Sequence, residues 1–268
     1  MTPAAPAAPT RLRVRYSKTG KVRFTSHRDV VRMWERAIRR SGIPVAWSEG
    51  YSPHLLLSFG HALPTGAESL AEYLDLTLAA GVSGPEPWAA ADATRAPLTE
   101  QLSALLPDGV DVQAIAAPPH GSWSLQQEVS SCSWNLEVFG LAAEELASRV
   151  ERLLAAPTAL VERERKGRTA PDDLRPAVLA LAVVNRSGPE PVLPVAREER
   201  ARLEAELATR PRGVRPRELL EVLGPGVRLS RACRTQQWIE RDGIRVEPLT
   251  ADGREAGTVA AHADRRAS

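Results

Sequence analysis

The side chains best suited to acid–base chemistry lie within the first third of the chain. His27, His54 and His61 carry imidazoles. Hydroxyls and carboxylates follow closely in sequence: Tyr16, Tyr51, Ser52, Ser58, Glu68, Glu72 and Asp75. A His or Tyr side chain can move the proton of a ribose 2′-hydroxyl without a metal. Metal-independent RNA cleavage of this kind would require His27 and His54 to converge near a bound phosphate.

Ligands for metals and cofactors are scarce in this sequence. The two cysteines, Cys132 and Cys233, have no neighbouring Cys or His at metal-ligand spacing. A radical SAM enzyme holds its iron–sulfur cluster with three cysteines in a CxxxCxxC motif, and two distant cysteines cannot supply it. Phosphate-loop, HExxH and GxSxG motifs are also missing. We therefore expect no metal site and no cofactor bound by this chain alone. The two cysteines could form one disulfide, but a reducing cytoplasm favours two buried thiols.

Charge is distributed unevenly along the chain although the net charge is only +2. Residues 11–40 contain eleven Lys and Arg against two acidic residues, a balance of +9. Residues 41–160 have a balance of −11, and residues 161–268 a balance of +4. A dense positive segment favours an anionic partner, with nucleic-acid phosphate the leading candidate. The alternative is that this segment pairs with the chain's own acidic middle.

A basic amphipathic helix is predicted within the positive segment. Ser26 is suited to cap its N-terminus, with Asp29 placed three residues later as in a capping box. Ser41 and Gly42 are typical of its end. Apolar residues recur at helical spacing, and five arginines occupy the opposite arc: Arg28, Arg32, Arg36, Arg39 and Arg40. This arc could be a binding surface for phosphates or simply a solvated face.

The elements around this helix predict an α+β fold. Strands are expected at 11–16, 22–24, 45–47, 55–57, 71–78 and 110–115, and a second helix at 98–106. The order strand, helix, strand, strand, helix, strand is typical of a ferredoxin-like, split βαβ unit with an antiparallel sheet. We assign this first unit, with the basic helix and the loop at Gly50–Gly60, to residues 11–120.

The same pattern recurs in the second half. Strands are predicted at 134–139, 159–164, 177–184 and 227–234, with helices at 143–155 and 216–223. Residues 202–208 fit either a strand or a short helix, and we favour the strand. The run at 177–184 is the most apolar in the chain and predicts a buried strand, whereas 166–173 predicts a polar loop. A second ferredoxin-like unit is therefore expected at 130–248. Disordered segments are expected at 1–10 and 249–268.

The termini and the hydropathy pattern predict a cytoplasmic protein. The Ala/Pro-rich start has neither the basic nor the apolar region of a signal peptide. No apolar run approaches the roughly 20 residues of a membrane span. We therefore expect no membrane partner.

Several motifs together resemble the radical-SAM-associated protein family, a family of unknown function. They extend over residues 11–235 and comprise Phe24–Asp29, GYSPH at 50–54, Ser58–Gly60, Gly66–Ser69, Glu72–Asp75 and Asp173–Pro176. Members of that family occur alone or joined to the C-terminus of a radical SAM protein, and some lie beside ribosome or RNA-processing genes. The chain departs from the family pattern at Leu55 and Leu56, where a Pro and a basic residue are usual.

The resemblance and the charge pattern together favour a binding protein over an enzyme. We expect a non-catalytic partner of a separate radical SAM protein that binds tRNA or rRNA, or presents a substrate. An RNA backbone would contact the five arginines, and Tyr51 or Trp47 would stack an unpaired base. The predicted RNA-binding residues are Arg28, Arg32, Arg36, Arg39, Arg40, Tyr51, Ser52, His54 and Ser58.

Two alternatives stay open at this point. One is a metal-independent endoribonuclease of ferredoxin-like fold, with His27 and His54 as its catalytic residues. The other is a protein–protein adaptor, in which the acidic stretch from Glu68 to Asp75 docks a basic partner. Residues assigned to the partner contact, or to a structural motif, are Glu68, Ser69, Glu72, Tyr73, Asp75 and Arg175.

Overall fold

The protein has a mixed α+β fold built on one large, mainly antiparallel sheet. The computed structural model describes residues 10–82, 95–119, 121–165, 167–184, 200–241 and 243–249. Eleven strands and five α-helices fall within these ranges. The predicted α+β class is therefore confirmed. None of the helices in these ranges is long and apolar enough to cross a bilayer.

The elements have the following bounds. The strands are β1 Arg11–Lys18, β2 Leu57–Phe59, β3 Glu68–Thr77, β4 Val112–Ala116, β5 Val129–Phe139, β6 Leu160–Arg165, β7 Arg168–Asp173, β8 Val178–Val184, β9 Arg200–Ala208, β10 Arg228–Arg241 and β11 Ile244–Val246. The helices are α1 His27–Ser41, α2 Arg95–Leu105, α3 Leu125–Glu128, α4 Ala143–Ala155 and α5 Pro216–Leu223.

Nine of these strands form a single sheet, in the order β4-β1-β3-β10-β5-β9-β8. β2 is antiparallel to the C-terminal part of β3, and β11 is antiparallel to β10. The two halves of the chain meet where β10 pairs in parallel with the start of β3, through Cys233 with Glu68 and Arg234 with Ser69. β6 and β7 form a separate hairpin.

Alternation along the strands decides which side chains the helices cover. Leu12, Val14 and Tyr16 of β1 pack with buried residues of α1 and α2, among them Trp34 and Leu102. Burying a large apolar side chain contributes about 1.5–3 kcal/mol. In the second half, the apolar face of β5 packs against α4 and α5 in the same way.

The opposite face of the first half is also covered, although more thinly. Ala71 and Tyr73 of β3 and Ala114 of β4 pack there with Leu125 of α3 and with Leu249. The arginines of β1 alternate with its apolar residues and therefore lie on this second face. Leu249, the first residue of the C-terminal segment expected to be disordered, is buried. Residues 1–9 and 250–268, which are also expected to be disordered, lie outside the described residues, whereas residue 10 is described.

Most predicted elements are observed, and the exceptions have physical reasons. Residues 22–24 belong to a 3-10 turn, Gly20–Phe24, and not to a strand. The strand predicted at 45–47 is reduced to isolated bridges at Val45 and Trp47, and the strand predicted at 55–57 is observed at Leu57–Phe59, where it pairs with β3. The predicted loop at 166–173 contains β7, which pairs with β6. β8 is not a buried strand: it is the last strand on its side of the described sheet, and Leu179 is 53% exposed. β10 is longer than expected, because β5 and β11 both pair with its extension beyond residue 234.

The strand order within each half bears on the expected ferredoxin-like units. In the first half the order is β4-β1-β3, with β2 on the free part of β3, and in the second it is β10-β5-β9-β8. One continuous sheet contains the strands of both halves, so the division into two tandem ferredoxin-like units remains a prediction.

Candidate functional site

The predicted basic helix is α1, and its arginines form an exposed surface. Ser26 caps the helix, with its Oγ accepting the Asp29 N–H at 3.3 Å. Gly42 ends it with a φ of 74°, a left-handed conformation that favours glycine. We use the term α1 cationic face for the five exposed arginines opposite the buried residues: Arg28, Arg32, Arg36, Arg39 and Arg40.

Few acidic groups neutralise the α1 cationic face. Arg32 lies 3.6 Å from Asp29, and Arg39 lies 3.6 Å from Glu35. Exposed pairs of this kind contribute little to stability. The hydrogen bond from Ser26, more than the charge of Arg32, lowers the pKa of Asp29. The remaining three arginines form no ion pair with another described residue, so the face keeps an unbalanced positive charge.

Aromatic side chains border the α1 cationic face. The Arg39 guanidinium lies 5.5 Å from the centre of the Trp47 ring, which is 51% exposed. Tyr51 is fully exposed in the loop that follows. Ser52, Pro53 and His54 are exposed in the same loop, and Ser58 is exposed in β2, which follows it. An aromatic ring beside guanidinium groups is the arrangement that stacks unpaired bases while the backbone phosphates are contacted.

The Gly50–Gly60 loop is closed at its base by hydrogen bonds. Ser48 Oγ accepts the His54 N–H at 3.0 Å and lies 2.8 Å from His54 Nδ1. The Ser48 N–H donates to the His54 carbonyl at 2.8 Å. Trp47 pairs with Leu55 through an isolated bridge. His54 thus stabilises the loop that presents Tyr51, with its own ring at the surface.

The imidazoles needed for RNA cleavage are not brought together. His27 packs edge-on against Phe59, with ring centres 5.3 Å apart, at the N-terminus of α1. His54 precedes Leu55, which bridges to Trp47, and the Trp47 ring lies 5.5 Å from the Arg39 guanidinium in the C-terminal part of the helix. The rise from His27 to Arg39 is about 18 Å. His61 is half-buried, and burial lowers its pKa, helped by the charges of Arg234 and Arg210.

The carboxylates of the acidic stretch from Glu68 to Asp75 are buried and do not form an exposed surface. Asp75 is buried and accepts two hydrogen bonds from Arg13, at 2.7 and 2.9 Å. Glu72 is buried 3.0 Å from Arg234. The expectation that this stretch docks a basic partner is therefore corrected, because arginines of the same chain already occupy its carboxylates.

Glu68 belongs to the same arrangement. It accepts hydrogen bonds from Arg231 at 2.6 Å, from Arg23 at 3.1 Å and from the Gly20 N–H at 2.9 Å. Burial acts to raise the pKa of Glu68, but these donors outweigh it and lower the pKa. We use the term buried arginine–carboxylate cluster collectively for three groups whose buried carboxylates lie along β3: Arg13 with Asp75, Arg234 with Glu72, and Glu68 with Arg23 and Arg231, two arginines that reach Glu68 from the surface.

The other motif residues also have structural contacts. Ser69 Oγ accepts the Ala71 N–H at 3.1 Å, and the Tyr73 hydroxyl donates to Gln236 at 3.2 Å. Arg175 donates to the carbonyls of Leu154, in the last turn of α4, and Val178, at 2.9 and 3.0 Å. These three residues are therefore assigned to the structural motif.

The tyrosines and thiols are poorly placed for catalysis. Burial raises the pKa of Tyr16 and of Tyr73 well above the usual value. Cys132 is buried and Cys233 half-buried, both as free thiols, and burial raises the pKa of each. No group of three or more metal-binding side chains comes together within the described ranges.

Two sets of residues were missed by sequence reasoning. Arg13, Arg231 and Arg234 were assigned only to alternating strands, although the acidic β3 sequence was a signal that buried partners were needed. Trp123, which is 70% exposed, was not singled out. No signal in the sequence separated it from the other tryptophans.

Comparison with known proteins places the chain in a family. A family model described as an uncharacterized protein conserved in bacteria (DUF2344) matches residues 11–214, so the chain belongs to that family. No curated protein matches the sequence.

One solved structure with a partial likeness is described as the crystal structure of a Cbf5-Nop10-Gar1 complex. The matched chain is 10% identical with a TM-score of 0.43, and the match covers 84% of this chain and 48% of that one. This chain thus spans about half the length of the one it matches. At this similarity the match bears on neither ligand nor activity.

Proposed function

We propose that this member of the DUF2344 family binds RNA in the cytoplasm, as a non-catalytic partner of a separate radical SAM enzyme. The observation that carries the RNA contact is the α1 cationic face, whose five arginines are exposed and of which three form no ion pair with another described residue. Guanidinium groups on one helical face suit an RNA backbone, because phosphate contacts dominate affinity without requiring a particular sequence.

The neighbouring loop supports RNA over a simple anion. Trp47 offers an exposed ring beside Arg39 of the α1 cationic face, and Tyr51, four residues later, has a fully exposed ring. The closed base of the Gly50–Gly60 loop limits the entropy lost when a base stacks on Tyr51. Stacking on aromatic rings favours unpaired bases, so we infer that the ligand is a loop or single-stranded part of tRNA or rRNA.

The partnership with a radical SAM enzyme rests on the motifs of the sequence. The exposed GYSPH loop and the buried Glu72–Asp75 motif are two of the segments that resemble the radical-SAM-associated family. Two cysteines cannot hold the cluster of such an enzyme, so a separate protein would supply the radical chemistry. We also infer that the two halves are ferredoxin-like units, since the strand order of each supports that topology.

Salt-dependent RNA binding tests the first part of the proposal. We expect a fluorescein-labelled single-stranded RNA to bind with an affinity that falls steeply with salt, and the double variant Arg32→Glu, Arg36→Glu to abolish binding. Arg152→Glu with Arg217→Glu makes the same charge change on exposed arginines of α4 and α5, and serves as the matched control. Equal losses of RNA affinity in both double variants would show that net charge alone explains the effect, and would contradict the proposed binding surface.

Affinity purification tests the partnership. The full chain is used as bait in lysates of the source cells, with and without RNase treatment. We expect a radical SAM protein to be retained under both conditions. Its loss after RNase treatment alone would show that RNA, and not a direct protein contact, joins the two proteins.

A further inference from the structure

We propose a second ligand site, a cleft built around Trp123 that binds a single nucleotide by stacking its base and contacting its phosphate. The Trp123 cleft has a volume of about 610 Å³ and is lined by Ser122, Trp123, Glu128, Arg210, Ile239 and Arg241. Ligand sites commonly have volumes of about 300–1,000 Å³. This site goes beyond the RNA contact proposed for α1 and does not depend on it.

The Trp123 ring is exposed although its backbone is held in place. Trp123 is 70% exposed. Its backbone N–H donates to Glu128 Oε1 at 3.0 Å, and its backbone carbonyl accepts a hydrogen bond from Arg11 Nη1 at 3.4 Å. Arg11 also donates to the Ser122 carbonyl. A large aromatic side chain that stays in water on a fixed backbone is a preformed platform, because little entropy is lost when a flat ligand stacks on it.

Two guanidinium groups line the same cleft. Arg241 Nη2 donates to Ser122 Oγ at 3.1 Å and lies 3.6 Å from Glu128 Oε1. Arg210 is exposed, with its Nη2 3.5 Å from the Glu128 carbonyl oxygen. Their free N–H donors suit a phosphate, which guanidinium groups bind through charge-assisted hydrogen bonds.

The acidic residues of the cleft do not cancel this charge. The Glu128 carboxylate is shared between Arg13, at 3.3 Å, and Arg241. Glu240 also lines the cleft, but it is exposed to solvent. Arg210 forms no ion pair with another described residue, so its guanidinium is the group of the cleft best placed to attract a phosphate beside the ring.

The Trp123 cleft and the α1 cationic face lie on opposite faces of the sheet. Arg11, which holds the Trp123 segment, alternates along β1 with Leu12 and Val14, which pack under α1 and α2. Variants of one site therefore leave the other site intact. A failure of the nucleotide site and a failure of the RNA contact at α1 are thus distinguishable.

Calorimetric titration of the full chain with AMP, and anisotropy with a short fluorescein-labelled oligouridylate, test the proposal. For whichever probe binds the wild type, we expect Trp123→Ala to lower the affinity about tenfold and Trp123→Phe to keep most of it. Arg210→Gln should remove the preference for AMP over adenosine. Trp47→Ala and the Arg32→Glu, Arg36→Glu variant should bind AMP as the wild type does.

The two probes separate the sources of the nucleotide. AMP binding that Trp123→Ala weakens supports a free nucleotide as ligand. Binding of the oligouridylate alone, with the same loss in Trp123→Ala, supports an unpaired nucleotide of a longer RNA. Circular dichroism and thermal unfolding confirm that each variant is folded. Unchanged affinity of folded Trp123→Ala for both probes, or no binding of either probe to the wild type, would overturn the proposal.

Discussion

Two groups of arginines in this protein have the same side chain and opposite surroundings. In the buried arginine–carboxylate cluster, Arg13 and Arg234 are almost fully buried against Asp75 and Glu72. On the α1 cationic face the arginines are exposed, and within the described part of the chain only Arg32 and Arg39 form an ion pair. The positive segment at 11–40 contains members of both groups. Local charge density therefore does not reveal which arginines are free to bind a ligand.

The energetic consequences of the two environments differ. A buried charge loses its hydration, so removing its partner leaves a large uncompensated cost. An exposed guanidinium stays hydrated, and its removal changes stability by a few tenths of a kcal/mol. We therefore expect the cluster to control folding and the α1 cationic face to control ligand binding.

The largest expected effect follows from breaking one buried pair. Asp75→Ala leaves Arg13 without its closest carboxylate and should lower the free energy of unfolding by about 3–5 kcal/mol. Urea denaturation measures the change. Arg28→Ala, on the α1 cationic face, is the control, and it should change the free energy of unfolding by less than about 0.5 kcal/mol. Similar values for the two variants would remove the energetic distinction between the groups.

The pH dependence of stability tests Glu68 in the same cluster. Its pKa in the folded protein lies below the ordinary value of 4.5, so its stabilisation is fully present above that pH. This stabilisation is lost as the pH falls through the folded pKa. We expect Glu68→Gln to cost about 2 kcal/mol at neutral pH. Urea denaturation of both proteins over the acidic range should show their stabilities converging, and a constant difference would contradict the assignment.

A smaller effect is expected when charge is removed from the α1 cationic face. Arg32→Gln with Arg36→Gln should weaken binding of single-stranded RNA about tenfold, or about 1.4 kcal/mol. The slope of log affinity against log salt should fall by about 0.7 for each phosphate that the variant no longer binds. Anisotropy titrations at several salt concentrations measure both quantities. Arg152→Gln with Arg217→Gln is the matched control, and a slope that falls equally there would argue against a local contact.

The smallest effect concerns the loop beside that face. Tyr51 is fully exposed, so Tyr51→Ala should leave the unfolding free energy unchanged and weaken RNA binding by about 1 kcal/mol. Tyr51→Phe keeps the ring and should bind as the wild type does. Parallel denaturation and anisotropy measurements separate the two properties. A loss of affinity in the Phe variant equal to that in the Ala variant would point to the hydroxyl instead of stacking.

Much of the fold was predictable because local signals agreed with packing. The Ser26 cap, the apolar spacing of α1 and the Gly42 end predicted this helix, and the structure begins and ends it there. The helix at 143–155 and the strand at 202–208 are also confirmed. The β7 strand was missed because its pairing with β6, and not its own pattern, makes it a strand.

The candidate site was predictable in part. Exposure of the five arginines and of Tyr51 agrees with the expected binding surface, although RNA binding itself stays a prediction. The separation of His27 from His54 was not predictable, since it depends on where the loop runs along α1. Trp123 could not be distinguished either, because its exposure depends on the contacts of Arg11 and Glu128 with its backbone.

The sequence by itself determined the amphipathic elements, the concentration of positive charge in residues 11–40 and the two widely spaced cysteines. These properties depend on residue type and short spacing, which act within single helices and strands. Only the tertiary structure decided which arginines are buried. Arg13 and Arg32 belong to the same basic segment, but the covered second face of the sheet encloses one, and the outer side of α1 leaves the other in water. Burial depends on contacts between residues far apart in sequence, and for that reason charge pattern alone could not separate the cluster from the ligand-binding face.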